Sequence, residues 1–564
     1  MPRTIPLLVF YVIYTCGQAS AQPADSKDIG RIAQPERALI MSPTAALATG
    51  KAAAVYNVRD YGATGDGKTL DSPAINHAIE ECAKAGGGTV RLPAGAYLCG
   101  GIHMMSNINL LVDAGAIILG APQDMKVYDP AESFEGPAYQ DGGHTYFHNS
   151  LIWGENLTNV SITGQGMING GGLMSNAKIL DTISGFSNFG RANPAPVPTP
   201  SEPVRQGNKA IALKLCRNVL LRDITIFHGG HFAVLATGCD NMTIDNVTMD
   251  TNRDGLDIDC CRNVMVSNCR INSPNDDALC PKSSFALGKN VITENLVIVN
   301  CQVSGFEEGT LLDGRMLPSK TKNGRIKFGT EANGGFRNVT VANCTARGCR
   351  GIALEEVDGG IMENISISNI TMMDVAVYPI YITLGRRNRG PEVTSVSSAR
   401  NISISNVIAT GIEPFSGIHI TGLPGHDIEG VRLENIRLGF KGGGKKEDAA
   451  RIPPELGIQY PEPRRVGVTP AYGVFARHVR DLELANIRLS FENEDLRPAI
   501  VCDDVDGLEI DNFKAQITDG VPAARFEAVK RLVIRNSPAL LKLDAPATEP
   551  DAKTAAPAPD DYKP

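Results

Sequence analysis

The feature that most constrains this chain is one short phrase that keeps returning from about Asn218 onward. It reads CRNVLLRDITI, CDNMTIDNVTM, CRNVMVSNCRI, TENLVIVNCQV, FRNVTVANCTA, MENISISNITM and ARNISISNVIA. Weaker copies follow as EGVRLENIRL, RDLELANIRL, DGLEIDNFKA and KRLVIRNS. The second Asn of each phrase serves as a register mark, at Asn246, Asn268, Asn300, Asn343, Asn369, Asn406, Asn435, Asn486, Asn512 and Asn536. Asn268 follows Asn246 by 22 residues, and the longer spacings read as the same coil with a loop inserted. A period of this size belongs to stacked repeats that bury their faces only against neighbours.

Each phrase alternates Val, Ile and Thr with polar residues and is bounded by Asn, Asp and Gly, which reads as strand plus turn. Helical spacing is missing through the repeats. The fold expected is all-β, a right-handed parallel β-helix with one coil per phrase, its Asn column forming a ladder. A stack of antiparallel hairpins is the rival, and the lack of Asn-Gly pairs within the repeated phrases argues against it. Cys269, Cys301 and Cys344 each follow a register Asn, while Cys216, Cys239 and Cys261 each stand two before the first Asn of a phrase. They read as free, buried ladder cysteines rather than a disulfide framework, since their spacing follows the coil. No CxxC pair accompanies the nine His, so no zinc site is expected.

Residues 1–21 read as a secretory signal: Arg3, an apolar run from Ile5 to Ile13, then Ala19-Ser20-Ala21. That run is too short to span a bilayer, and no other stretch is long and apolar enough. An exported protein, periplasmic or secreted, is therefore expected. Residues 22–53 and 544–564, rich in Ala, Pro and charge, read as a disordered linker and tail. Residues 54–122 read as an N-terminal capping segment with the first coils. There Ser72-Pro73 starts a helix that puts Ile75, Ala78, Ile79 and Cys82 on one face, suited to covering the open end of a solenoid. Residues 123–543 read as the β-helix catalytic domain. Long inserts fall at about 171–208, 309–324 and 440–470. A net charge of −8 leaves no basic footprint for nucleic acid. A monomer is expected.

Eight residues past three successive register marks stand Asp254, Asp276 and Glu308, with Asp277 directly after Asp276. Carboxylates on neighbouring coils lie ~5 Å apart. Charges of one sign that close push at least one pKa upward, which keeps an acid beside a carboxylate near neutral pH. Three uses are open: glycosidic hydrolysis by paired carboxylates, Ca²⁺ binding through oxygen ligands, or solvated turn residues with no special role. Lys282, Arg325, Lys327 and Arg350 surround the acids in sequence and suit an anionic or hydroxyl-rich substrate. No GxSxG elbow supports a serine hydrolase.

These residues resemble the family 28 glycoside hydrolases, the polygalacturonase and rhamnogalacturonase group. The matching text is TNRDGLDIDCCRNVMVSNCRINSPNDDALCPKS, in which Asp254, Asp276, Asp277 and Lys282 fit and Arg253 stands where the family has Thr. The opening VRDYGATGDGKTLDSPAINHAIEECAKAGGGTVRLPAG and the later FGTEANGGFRNVTVANC are also similar to the group. The resemblance implies a pectic polysaccharide or oligosaccharide substrate and inverting hydrolysis without metal or other cofactor. Asp276 would then be the general acid, and Asp254 and Asp277 would activate water. Two departures stand out. The family's Gly-His-Gly is replaced by SGFEEG, with Phe306 and Glu307 in its place. The place aligned with its Arg-Ile-Lys strand reads RGIALEEVDGG, with Ala353 and Glu355. A literal Arg-Ile-Lys at Arg325–Lys327, one coil early, either supplies the missing charge or matches by chance. If Glu355 meets the substrate, it repels a uronate, and the sugar beside Asp276 would be rhamnose or a decorated uronate. The inserts suggest exo-action in a closed-ended groove. A rhamnogalacturonan-specific hydrolase, a Ca²⁺-dependent lyase on the same fold with Arg253 or Arg325 as base, and a glycan-binding adhesin are the competing functions.

Overall fold

A short apolar residue in every phrase sits opposite the same residue one coil away. Val160, Val219, Met242, Val264, Leu296, Val339, Ile365, Ile402, Val431, Leu482 and Leu508 form one continuous stack. All are buried. The computed structural model in which this is seen describes residues 54–133, 139–176, 178–186, 202–390, 395–415 and 417–541. The expected signal peptide, linker and C-terminal tail lie outside the described residues. The strands join in one hydrogen-bonded system, each pairing in parallel with the strand one coil before and after it. The architecture is the expected right-handed parallel β-helix, and the hairpin alternative is not adopted.

Three sheets run along the solenoid. One contains the strands Phe232–Thr237, Asp254–Asp259, Leu279–Lys282, Ile326–Phe328 and Ile352–Glu356 in that stacking order. The second carries the apolar stack above. The third contains Thr225–Phe227, Thr248–Asp250, Arg270–Asn272 and Gln302–Ser304. From Phe336–Arg347 to Val474–Asn493 the second and third are joined as one long strand per coil, bent at the register Asn, and in the next coil they part again as Ile500–Asp511 and Lys514–Ala515.

The bend explains the Asn. All ten register Asn have φ between 51° and 59°, the left-handed region that Asn tolerates better than other side chains except Gly. Each also donates from Nδ2 to the coil before it. Asn369 bonds Asn343 at 2.9 Å, Asn406 bonds Asn369 at 3.0 Å and Asn512 bonds Asn486 at 2.8 Å. Asn268 is an exception in partner: it reaches Asp245 rather than Asn246. A buried Val, Leu or Ile contributes about 1.5–3 kcal/mol against about 1 kcal/mol for an amide hydrogen bond. The apolar stack therefore supplies most of the stability, and the Asn ladder fixes where each coil turns.

The described cysteines are all free and buried, as expected from their coil spacing. Ser72–Lys84 is the expected helix, burying Ile75, Ala78, Ile79 and Cys82. It packs on the first strands of the solenoid, including Val55–Asn57 and Gly88–Leu92, and so covers apolar edges that water would otherwise meet. Its N-cap residue, Asp71, makes no side-chain cap bond. Its carboxylate instead accepts from the Thr64 and Gly65 amides of the preceding turn.

Candidate active site

Asp254 opens the strand Asp254–Asp259, and Asp276 and Asp277 occupy the turn before Leu279–Lys282, one coil later. The two turns are tied together by backbone bonds. The Asn275 amide donates to Asn252 O at 3.1 Å and the Gly255 amide to Asp277 O at 3.0 Å. Ser273 Oγ reaches Arg253 O and Asp276 O at 2.6 and 2.9 Å. This stacking brings oxygens of Asp254, Asp276 and Asp277 within 4.8 Å of one another. The Asp277 amide lies between two of them, 3.2 Å from Asp254 Oδ1 and 3.1 Å from Asp276 Oδ1.

The three carboxylates differ in surroundings. Asp254 and Asp277 are buried, whereas a quarter of the Asp276 side chain, 24%, remains exposed. Burial, and after it Asp276, pushes the Asp254 carboxyl well above the usual range. Burial would push Asp277 up too, but Lys327 and Arg325 outweigh it and hold Asp277 far below that range. Arg325 Nε donates to Asp277 Oδ1 at 2.7 Å and Lys327 Nζ lies 3.0 Å from Oδ2, so one cation meets each oxygen. Arg253 donates to Asp276 Oδ2 at 2.6 Å. The surroundings thus favour a proton on Asp254 and a charge on Asp277.

The literal Arg-Ile-Lys lies beside the acids and supplies positive charge there. Ile326 stacks directly on Leu279, so Arg325 and Lys327 lie on the coil next to the acids. Glu355 lies one coil further on, in the strand Ile352–Glu356. It is fully buried, with ion-pair distances of 3.5 Å to Arg325 and 3.9 Å to Lys327. Burial pushes its carboxyl up against the pull of those cations. It faces the two cations and not a bound sugar, so the expected repulsion of a uronate by Glu355 loses its basis.

Glu308 does not join the column. Its carboxylate pairs with His228 Nδ1 at 3.0 Å, and the residue whose amide stacks on Asp276 O is Gly324. The inserted loop precedes the register position instead of following it, so a count of eight past Asn300 stops inside the insert. Lys282 is buried between Asp257 at 3.4 Å and Glu331 at 3.0 Å. Arg350 is only slightly exposed and pairs with Glu462 at 2.8 Å. Both help to build the site, Lys282 as a buried counter-charge and Arg350 as an anchor for the insert that carries Glu462.

Several charged and aromatic residues at the site escaped the repeat arithmetic because they arrive on inserts. Tyr460 accepts at Oη from Lys327 at 3.3 Å and from Thr330 at 3.2 Å, with the Arg387 guanidinium 5.7 Å from its ring. Arg387 pairs with Glu331 and Asp358. His144 stands 3.7 Å from Asp257 and 2.9 Å from Asp141. Burial alone would lower the His144 pKa, but Asp141 outweighs it and the value rises to about 10. Only the long spacing of the inserts gave any signal for these residues.

Fold and site together define a parallel β-helix protein with a carboxylate centre for sugar chemistry. A family model described as Rhamnogalacturonase A/epimerase, pectate lyase-like, matches residues 55–279. A probable polygalacturonase of Vitis vinifera is 24% identical over 416 residues, 69% of this chain and 74% of that protein. Among solved structures, an exopolygalacturonase from Thermotoga maritima superposes with a TM-score of 0.56 at 23% identity, covering 69% of this chain and 87% of that one. A family 28 exopolygalacturonase of Yersinia enterocolitica gives 0.52 at 18% identity, covering 85% and 78%. These matches agree with the sequence resemblance: the chain is similar in sequence to a probable polygalacturonase and shares the fold of the exopolygalacturonases.

Proposed function

We propose that this glycoside hydrolase is an exported monomer that cleaves the glycosidic bonds of a pectin-type polysaccharide or oligosaccharide from the chain end, with inversion. The observation that carries the reading is the unequal trio: Asp254 and Asp277 buried, the second held by two cations, and Asp276 beside them open to solvent. Asp276 protonates the glycosidic oxygen as its bond to the anomeric carbon breaks. A water attacks that carbon from the opposite face and gives a proton to Asp277. The proton on Asp277 then returns to Asp276, with Asp254 beside both as the relay, so the cycle closes. In this reading Asp254 serves the acid, where the family resemblance alone grouped it with water activation.

Oxygens within 4.8 Å of one another are nearer than the ~6.5–9.5 Å between carboxyl groups common in inverting enzymes. Covalent attack by Asp277 is nevertheless disfavoured, because each of its oxygens faces a cation and the side chain is buried. The same pairing bears on the lyase alternative. A Ca²⁺ ion at the trio would have to compete with Arg253, Arg325 and Lys327 for carboxylates they already engage.

Support for exo-action comes from the insert that carries Tyr460 and Glu462. It reaches Lys327, Arg350 and Tyr381, walling the site beside the cations. Two of the solved structures similar to this chain are named exopolygalacturonases. Rhamnogalacturonan is the second reading, favoured by the description of the matching family model. Product analysis on polygalacturonate and rhamnogalacturonan, with and without chelator, decides among these. Saturated single sugars released regardless of chelator support the proposal, and unsaturated, chelator-sensitive products contradict it.

A further inference from the structure

On the outer face of the third sheet, Arg437, Arg488 and Lys514 stand directly opposite one another on three successive coils. All three are exposed, and none has an ion-pair or hydrogen-bond partner among the described residues. The second sheet of the same coils treats its charges differently. Arg432 pairs with Glu483, Arg480 with Glu429 at 2.8 Å and Arg531 with Asp506 at 2.6 Å. Like charges directly opposite on neighbouring strands are destabilising. Here the strands are ~4.8 Å apart, and no carboxylate offsets the repulsion. An unpaired cation column beside fully paired ones is what a surface built for an external polyanion looks like.

The surroundings add hydrogen bonding and shape. The column lies in a groove of about 370 Å³, with Asn435, Asn486 and Asn512 along its side. Each of these Asn uses one amide hydrogen in the ladder, leaving the second for a ligand. Ile408, 51% exposed, is the next residue in the column before Arg437, and it offers an apolar patch for the C–H face of a sugar ring. A linear polyuronate supplies what this surface lacks, namely one carboxylate per sugar along a single strand. Nucleic acid suits it less, since the whole chain carries a net charge of −8.

We infer that Arg437, Arg488 and Lys514 form an accessory site that holds an anionic, uronate-bearing polysaccharide away from the acidic trio. The choice of polymer rests on the proposed substrate class, while the existence of the site does not depend on catalysis. Along the stack the column is separated from the trio by several coils, on a different sheet, so it holds polymer and not the reacting bond.

The test is affinity electrophoresis of the full chain through gels containing polygalacturonate, in an Asp276→Asn background so that the polymer is not consumed. The parent should be retarded, and the retardation should vanish near 1 M salt, where the Debye length is ~3 Å. An Arg437→Gln, Arg488→Gln, Lys514→Gln triple variant should bind roughly tenfold more weakly, and Arg488→Glu alone should lose most of the effect. These are exposed positions, so folding is expected to survive, and circular dichroism checks it. With Asp276 restored, the triple variant should cleave short oligosaccharides like the parent while its KM for polymer rises. Equal retardation of parent and triple variant, no retardation of the parent, or equal retardation by double-stranded DNA would overturn the inference. Absence of hydrolysis on every substrate would overturn the proposed function instead and leave the gel result readable.

Discussion

Arg325 Nε donates to Asp277 Oδ1 at 2.7 Å with both side chains buried, and this bond joins the Arg-Ile-Lys strand to the acidic turn one coil before it. It fixes which carboxylate of the trio stays ionised. Replacing Arg325 with Gln leaves a buried Asp277 facing Lys327 alone. Breaking a buried ion pair costs about 3–5 kcal/mol, so urea denaturation should show a loss of that order. The acid limb of kcat/KM should also move to higher pH, because the lost cation no longer holds the Asp277 pKa down.

Asp254 gives the opposite sign. Its folded-state pKa is raised by burial, so the folded protein binds the proton more tightly than the unfolded chain. That preference stabilises the fold below the unfolded pKa, and the contribution is lost as pH rises through the folded value. Asp254→Asn should therefore raise the thermal midpoint near pH 7 while abolishing turnover. For Asp277 the depressed pKa means stability that is present above the unfolded pKa and lost as pH falls through the folded one. Asp277→Asn should accordingly destabilise at neutral pH. Thermal scans of both variants across pH check the pair of signs.

Glu308 provides a contrast at a similar sequence position. It bonds His228, and the register place beside Asp276 belongs to Gly324. Glu308→Gln should change kcat/KM by no more than about twofold, as for substitutions away from the reacting groups. Steady-state kinetics on the best oligosaccharide would reveal a larger effect if Glu308 touches substrate.

Tyr460 tests the wall. Tyr460→Phe removes the hydrogen bonds from Lys327 and Thr330, each worth about 0.5–1.5 kcal/mol, so KM should rise by roughly three- to tenfold. Shortening the loop that carries Tyr460 should open the groove and replace single-sugar release with mixed oligosaccharides from long polymer, read by chromatography of early products.

Asn369 tests the ladder. Asn369→Ala leaves φ 56° to a side chain without the polar group that lets Asn adopt it, at about 1–2 kcal/mol, and loses the bonds to Asn343 and from Asn406. Denaturant unfolding should show a loss of about 2–4 kcal/mol. Asn369→Gly keeps the backbone and should recover part of it.

The solenoid was legible because its signal is local and repeated: the register Asn, the alternating Val and Ile, and the two cysteine columns each recur with the coil. Asp254, Asp276 and Asp277 were legible for the same reason, since only one uninterrupted coil separates them. Glu308 and Glu355 were misplaced where an insert hid the register. The 309–324 loop moved Gly324 into the place that counting gave to Glu308, and so moved Arg-Ile-Lys next to the acids. Tyr460, Arg387 and His144 come from segments with no period at all, and only packing of the folded chain brings them to the site.

The most direct measurement is product analysis of the wild type and of Asp276→Asn on polygalacturonate, following the anomer first formed by NMR. The account predicts saturated single sugars of inverted configuration from the wild type. It also predicts a loss of about 10²–10⁴-fold in rate for the variant, the range that a general acid contributes. Retained activity in Asp276→Asn, or products carrying a double bond, would contradict it.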